Sequence, residues 1–226
     1  MSAEFRCLAL ETATSQSSLA LDTGDGVLSR EISDARTCSR QVYRLIGDLL
    51  KEGGLQISEL DCIAFGCGPG SFTGVRVAAS VTQGIAYAQS LPVCRVSTLA
   101  ALAAGAGQRH APATVLSCLD ARMGEAYLGV YAIAEGSVTE LEADRLIDPS
   151  EHRLAAYAGE VLAVGNGWKV FPELLNRTKT RVDDLQSELW PSAMHVLQLA
   201  KLDYLAGDTI AASGALPNYV RNKVTS

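Results

Sequence analysis

The chain has 226 residues, of which 48% are hydrophobic and 19% charged, a globular balance that excludes a disordered chain and leaves room for one large or two small domains. A formal charge of -6 excludes a protein that grips a nucleic-acid backbone by overall charge, since such binding rests on clustered Lys and Arg. No run approaches the ~20 apolar residues of a membrane span, and MSAEFRCLALETA lacks a basic start followed by a long apolar run, so a soluble, cytoplasmic protein without a secretory leader is expected.

Residues 5–12 read as a buried strand. Residues 17–22 and 27–32 read as two more, joined by Thr23-Gly24-Asp25-Gly26, whose Asp-Gly pair is a hairpin signal. The opening is thus an antiparallel meander. Residues 40–51 form the first helix, with Val42, Leu45, Ile46, Leu49 and Leu50 at helical spacing and Gly53-Gly54 as its stop. A short buried strand at 62–66 leads through the turn GCGPGSFTG into a second helix at 74–89. A short strand follows Pro92, and an Ala-rich helix covers 98–106.

After Pro112 the pattern resets: strands at 113–119 and 125–133 flank a DARMG turn, with a third strand at 137–141. A helix is expected at 149–157, with Pro149 in its first turn. A strand at 160–164 ends in Gly165-Asn166-Gly167, and helices follow at 168–175 and 191–205. A meander followed by helix–strand–helix therefore occurs twice, the second time more loosely. The best boundary is AAGAGQRHAP, giving lobes of 1–103 and 104–226, with the last residues packing back on the first lobe.

Six cysteines, at 7, 38, 62, 67, 94 and 118, form no C-x-x-C pair. They are expected as small buried hydrophobes in a reducing compartment. His110, His152 and His195 have no Cys or His neighbour at metal-ligand spacing, and no G-x-S-x-G elbow is present, so neither a metal centre nor a cofactor is expected.

Three features carry candidate chemistry. Gly68, Gly70 and Gly74, with Ser71 and Thr73, sit between a strand and a helix start. Such a loop either presents backbone N–H groups to a phosphate or serves as a structural tight turn. It is neither a P-loop nor G-x-G-x-x-G. In ETATSQSS, Glu11 and Thr12 open a hydroxyl-rich hairpin. Actin-like and sugar-kinase-like ATPases begin their phosphate site with an acid followed by hydroxyls, the acid helping to hold metal-bound water; Glu11 is one methylene longer than the usual Asp, and a Ser/Thr-rich turn looks the same. In LDARMGEAY, Asp120, Arg122 and Glu125 form either a polar cluster at a cleft or an Asp–Arg pair that stiffens a hairpin.

The run from Gly66 to Ala103, together with LALETATSQSSLAL, LDARMGEAYLGVY, VGNGW and PNYVRN, closely resembles the TsaB family, in the family's order and over nearly the whole chain. The resemblance implies an α/β, actin-like ATPase-type (ASKHA, ribonuclease H-like) fold of two similar lobes. It also implies a part in forming N6-threonylcarbamoyladenosine next to the anticodon of tRNAs that read codons beginning with A. The larger paralogous enzyme TsaD carries H-x-x-x-H for its metal; here those positions fall on about Thr98 and Leu102, which hold no metal. Many members have His where this chain has Cys38.

The implied protein is a non-catalytic partner: a heterodimer with TsaD, joined by TsaE, a homodimer when alone, meeting tRNA only through the complex and no membrane. The competing readings are a self-sufficient ATPase or kinase built on Glu11 and the Gly-rich loop, and a metallopeptidase, against which the missing histidine pair speaks. The pairing face is expected on the first two helices, with Val42, Leu45, Ile46, Leu49, Ala78, Val81 and Ile85 as interface candidates. Two apolar lines on the first helix exceed what one buried stripe needs, and small residues on the second admit another helix.

Overall fold

A computed structural model describes residues 5–32, 38–107 and 112–220. His110 and the last two residues of PNYVRN lie outside this range. The chain divides into two compact units, residues 1–101 with 191–218, and residues 102–190 with 219–226.

In the first unit, β1 (Arg6–Glu11), β2 (Ser17–Thr23) and β3 (Val27–Ile32) form the meander. Then α1 (Cys38–Glu52), β4 (Cys62–Gly66), α2 (Phe72–Gln89) and β5 (Val93–Val96) follow. The sheet order is β3-β2-β1-β4-β5, with β4 and β5 parallel to β1. Period-two alternation gives it two different faces. Leu8, Leu10, Leu19, Leu21, Ile63 and Phe65 join the core that α1 and α2 cover. The other face is made of Cys7, Ala9, Ala20, Cys62, Ala64 and Cys94, all fully buried.

After α3 (Thr98–Gly107), the second unit repeats the plan with β6 (Ala113–Arg122), β7 (Glu125–Ala134), β8 (Ser137–Ile147) and β9 (Val161–Val164). A one-turn helix α4 (Gly167–Val170) precedes β10 (Asp184–Gln186). Its sheet runs β10-β9-β6-β7-β8, with β9 and β10 parallel to β6. Read from the meander outward, this is the order of the first sheet: third, second, first, fourth, fifth strand. The two-lobed α/β plan implied by the sequence is thus present as two sheets of one topology. Trp168 anchors the second core, its indole N–H donating to the carbonyls of Leu116 and Val164 at 3.1 Å each.

Three segments differ from expectation. The helix expected at 149–157 is irregular. Its backbone is held from outside: Thr180 Oγ1 accepts from Tyr157 N–H at 2.6 Å and donates to the Ala155 carbonyl at 3.2 Å. Leu154 is drawn into the core and the Tyr157 hydroxyl bonds Glu142. The helix expected at 168–175 breaks into α4 and a 3₁₀ turn, Pro172–Arg177, because proline cannot donate to the preceding turn. Finally α5 (Ala193–Ala206), expected to complete the second lobe, packs on β1, β2, β4 and β5 of the first sheet. It lies on the small-residue face, where alanines and cysteines let a helix approach closely. Ser18 Oγ accepts from Ala193 N–H at 2.8 Å, the Cys94 thiol donates to the Ala200 carbonyl at 3.5 Å, and Lys201 pairs with Asp22.

Candidate functional site

The Gly-rich loop joins β4 to α2, and Ser71 caps the helix by accepting from Gly74 N–H. Glycine is required at three points by close approach. A methyl on Gly66 would stand 2.6 Å from the Glu11 carboxyl carbon. One on Gly70 would stand 2.7 Å from Ala13 Cβ, and one on Gly74 2.9 Å from the Thr12 carbonyl carbon. Real Cβ atoms do not come within 3.0 Å of such neighbours. The loop is therefore filled by the chain's own β1 end. Ser71 N–H donates to the Ala13 carbonyl at 2.7 Å, and the Thr12 hydroxyl donates to the Gly74 carbonyl at 2.6 Å.

Glu11 lies at the bottom of this arrangement and is fully buried. Its carboxylate accepts from Ala13 N–H at 2.7 Å and from the Thr98 hydroxyl at 3.0 Å. Burial pushes the carboxyl up to about 7, against the hydrogen bonds from Ala13, Thr98 and Thr12 that hold it down. A carboxyl sealed in this way has no open oxygen for metal-bound water. Thr98, at the start of α3, spends its hydroxyl here. Of the loop candidates, the structure brings Glu11, Thr12 and Gly68 into one buried cluster with Gly70 half-buried at its edge, whereas Ser71 and Thr73 are exposed at the helix start. Sequence reasoning named Thr98 only as a position that holds no metal; its signal was a second hydroxyl, next to the capping Ser97, at a helix start after a buried strand.

The second lobe offers the same place without the charge. Glu11 and Gly66 lie one step beyond the pair Leu10–Phe65, and Cys118 and Gly165 one step beyond Ser117–Val164. Cys118 thus stands where Glu11 stands in the first lobe. Burial pushes its thiol up, and a methyl on Gly167 would lie 2.9 Å from its carbonyl carbon. Asp120 is turned to its own hairpin. It accepts from Arg122 N–H at 2.8 Å and pairs with the Arg122 guanidinium at 3.0 Å, while its N–H donates to the Asn166 side chain at 3.2 Å. Arg122 and Met123 both have positive φ in this turn. The Asp–Arg pair stiffens the hairpin.

The helix-face candidates lie on the covered side of α1 and α2. Val42, Leu45, Ile46, Leu49, Ala78, Val81 and Ile85 are all buried in the first unit's own core. Both apolar lines of α1 find cover inside the unit, because α1 packs on β2, β3 and α2 together. What these helices expose is different. Tyr43 is 61% exposed on α1 and Tyr87 82% exposed on α2. Gly47 and Gly84 lie within about one turn of them, each with nothing among the described residues within 4 Å of where a methyl would stand. The Arg76 guanidinium lies 3.3 Å over the exposed Phe72 ring. Among the described residues no group of three His, Cys, Asp or Glu could hold a metal ion, and no helix is long and apolar enough to cross a membrane.

Comparison with known proteins gives the family. Residues 8–213 match the family model described as TsaD: tRNA N6-adenosine threonylcarbamoyltransferase. The tRNA threonylcarbamoyladenosine biosynthesis protein TsaB of Escherichia coli is 34% identical over 223 residues, 97% of this chain and 96% of that protein. The TsaB of Haemophilus influenzae is 33% identical over 96% of this chain and 94% of its own length. The structure of YeaZ from Pseudomonas aeruginosa superposes with a TM-score of 0.87 at 35% identity, covering 95% of this chain and 99% of that one. The chain belongs to the TsaB (YeaZ) family of tRNA threonylcarbamoyladenosine biosynthesis proteins.

Proposed function

We propose that this chain is a non-catalytic partner of TsaD in forming N6-threonylcarbamoyladenosine next to the anticodon, in a complex that TsaE joins. The observation that carries the reading is the filled loop. The Gly-rich turn is packed by Thr12, Ala13 and Glu11, and the equivalent place in the second lobe holds an uncharged cysteine. An actin-like lobe in this state retains its shape and loses the cradle for phosphate, so its value lies in binding.

The binding face is the exposed side of α1 and α2, centred on Tyr43, Gly47, Gly84 and Tyr87. Mid-helix glycine costs roughly 1 kcal/mol relative to alanine, and neither glycine has a contact among the described residues that explains it. A helix of TsaD laid across this face would use the glycines for close approach and the tyrosines as anchors. A second copy of this chain would compete for the same face, and tRNA would be met through the complex.

The test is sedimentation of this chain mixed with TsaD, using Tyr43→Glu and Tyr87→Glu, which alter exposed side chains only. Loss of the heterodimer with an unchanged circular dichroism spectrum is expected. Heterodimers of undiminished affinity with both variants would refute the assigned face. ATP hydrolysis by the isolated chain that disappears in Glu11→Gln would refute the non-catalytic reading.

A further inference from the structure

The Glu11 carboxyl is enclosed on every side by groups that leave it no freedom. Gly66 faces it across β4 with no room for a side chain. Ala13 N–H holds Oε1 at 2.7 Å and the Thr98 hydroxyl holds Oε2 at 3.0 Å. The same Thr98 oxygen accepts from Gly68 N–H at 3.2 Å, and Thr98 N–H donates back to the Gly68 carbonyl at 2.9 Å. A single hydroxyl hydrogen therefore sets the polarity of a line that runs Gly68 N–H to Thr98 O–H to Glu11.

That line has one direction when Glu11 is ionised and another when it is neutral. A proton on Oε1 would face Ala13 N–H, donor against donor. A proton on Oε2 must be given to Thr98 Oγ1, whose own hydrogen then turns away. In the first case the Ala13–Glu11 bond is lost and in the second the Thr98–Glu11 bond is reversed, so the Thr98 oxygen that accepts from Gly68 N–H takes a second donor while the Gly68–Thr98 bonds persist. The proton comes from water, and because the carboxyl is sealed, its uptake requires a brief local opening.

We propose that Glu11, Thr98 and Gly68 form a proton-operated latch on the Gly-rich loop at the start of α2. Among the described residues no charged side chain competes for the role. The facing groups are the backbone of Thr12 and Ala13 on its own segment, Gly66 on β4 and Thr98 on α3. On β2 its register partner is Ser18, which is bonded to Ala193 of α5. The titratable group on the first turn of α5 is His195, hydrogen-bonded to Ser192 and pushed down to about 4 by burial. It is neutral wherever Glu11 titrates. Burial of Glu11 places the change near neutral pH. The latch is independent of any partner, so its failure leaves the proposed function untouched.

The experiment is carboxyl ¹³C NMR of the full chain between pH 5 and 9, with Glu11→Gln to assign the signal and the Gly68 amide followed in parallel. Both signals are expected to move with one midpoint near pH 7. Thr98→Val removes a hydrogen bond to the charged form, so it is expected to raise the Glu11 midpoint and abolish the Gly68 response. Thr98→Ser, which keeps the hydroxyl, is expected to restore both. A Glu11 midpoint below pH 5 overturns the proposal, as does a Gly68 amide that ignores the titration in the wild type. If Thr98→Val fails to fold, the wild type and Thr98→Ser still decide.

Discussion

Two glycines of the same helix, α2, are expected to respond to alanine in opposite directions. At Gly74 a methyl would stand 2.9 Å from the Thr12 carbonyl carbon and 3.3 Å from Ala13 Cα. Both neighbours are backbone, so neither can rotate away. Residues 71–74 and 12–13 must part, which breaks the Thr12–Gly74 and Ser71–Ala13 hydrogen bonds. Two such bonds are worth about 1 kcal/mol each, and forcing a methyl into a filled site costs about 1–3 kcal/mol more. Alanine returns about 1 kcal/mol of helix propensity. The net loss for Gly74→Ala is about 2–4 kcal/mol. At Gly84 nothing lies within 4 Å, so only the propensity gain of about 1 kcal/mol remains. At this chain length each kcal/mol moves the melting temperature by about 2–4 °C. Urea unfolding followed by circular dichroism measures both variants. Gly84→Ala is also expected to weaken TsaD binding while it stabilises the free chain, because its methyl occupies the approach surface. Equal stability of the two variants, within about 0.5 kcal/mol, would refute the reading of the loop as packed solid.

All six cysteines are buried, with thiols pushed up by burial at Cys38 and Cys118, and by hydrogen bonding to Cys7 at Cys62 and to Cys62 at Cys94. A disulfide reagent at pH 8 is expected to label none in the native chain and all six in guanidinium; fast native labelling of even one contradicts the packing. Stability should fall as pH rises from 4.5 to about 7. Glu11 rises from its ordinary 4.5 to about 7 on folding, so the native chain holds the extra proton in that window; the contribution is full below 4.5 and lost above 7, about 3 kcal/mol in all. Glu11→Gln is expected to flatten that slope, and an unchanged pH profile of the melting temperature would count against it. Trp168→Phe leaves the Leu116 and Val164 carbonyls without the indole N–H and opens space in the second core, so a loss of about 2–3 kcal/mol is expected in denaturant titration.

The sheets were legible in the sequence because their signal is local. The Asp-Gly hairpin, the apolar runs and the glycines after 62–66 and 160–164 place both meanders and their fourth strands. The position of α5 was not legible. Its helix is apolar nearly all round, so no stripe points to a face, and the face that receives it is made of Ala and Cys, which read as neutral. Residues 149–157 failed for a related reason: Thr180, distant in sequence, supplies the bonds that a helix would have made itself. At the site, Glu11 and the loop glycines were visible by type and spacing. What fills the loop was not, because Ala13 acts through its carbonyl and Thr98 through a contact 87 residues away. The apolar candidates on α1 were counted correctly as two lines, but a sequence does not show that a sheet and a second helix cover both.

The return of α5 has a consequence during synthesis. The first five strands leave the ribosome with one face made of alanines and cysteines and nothing to cover it until residues 193–206 emerge. At about 5–20 residues per second, the roughly one hundred intervening residues take on the order of 5–20 s. The strands of the second unit, by contrast, end with β10 at Gln186 and are all made before α5 appears. The sheet made first therefore waits for its cover until the strands of both sheets are made, and a nascent chain arrested before residue 193 presents the floor of the first sheet to whatever chaperone stands at the exit.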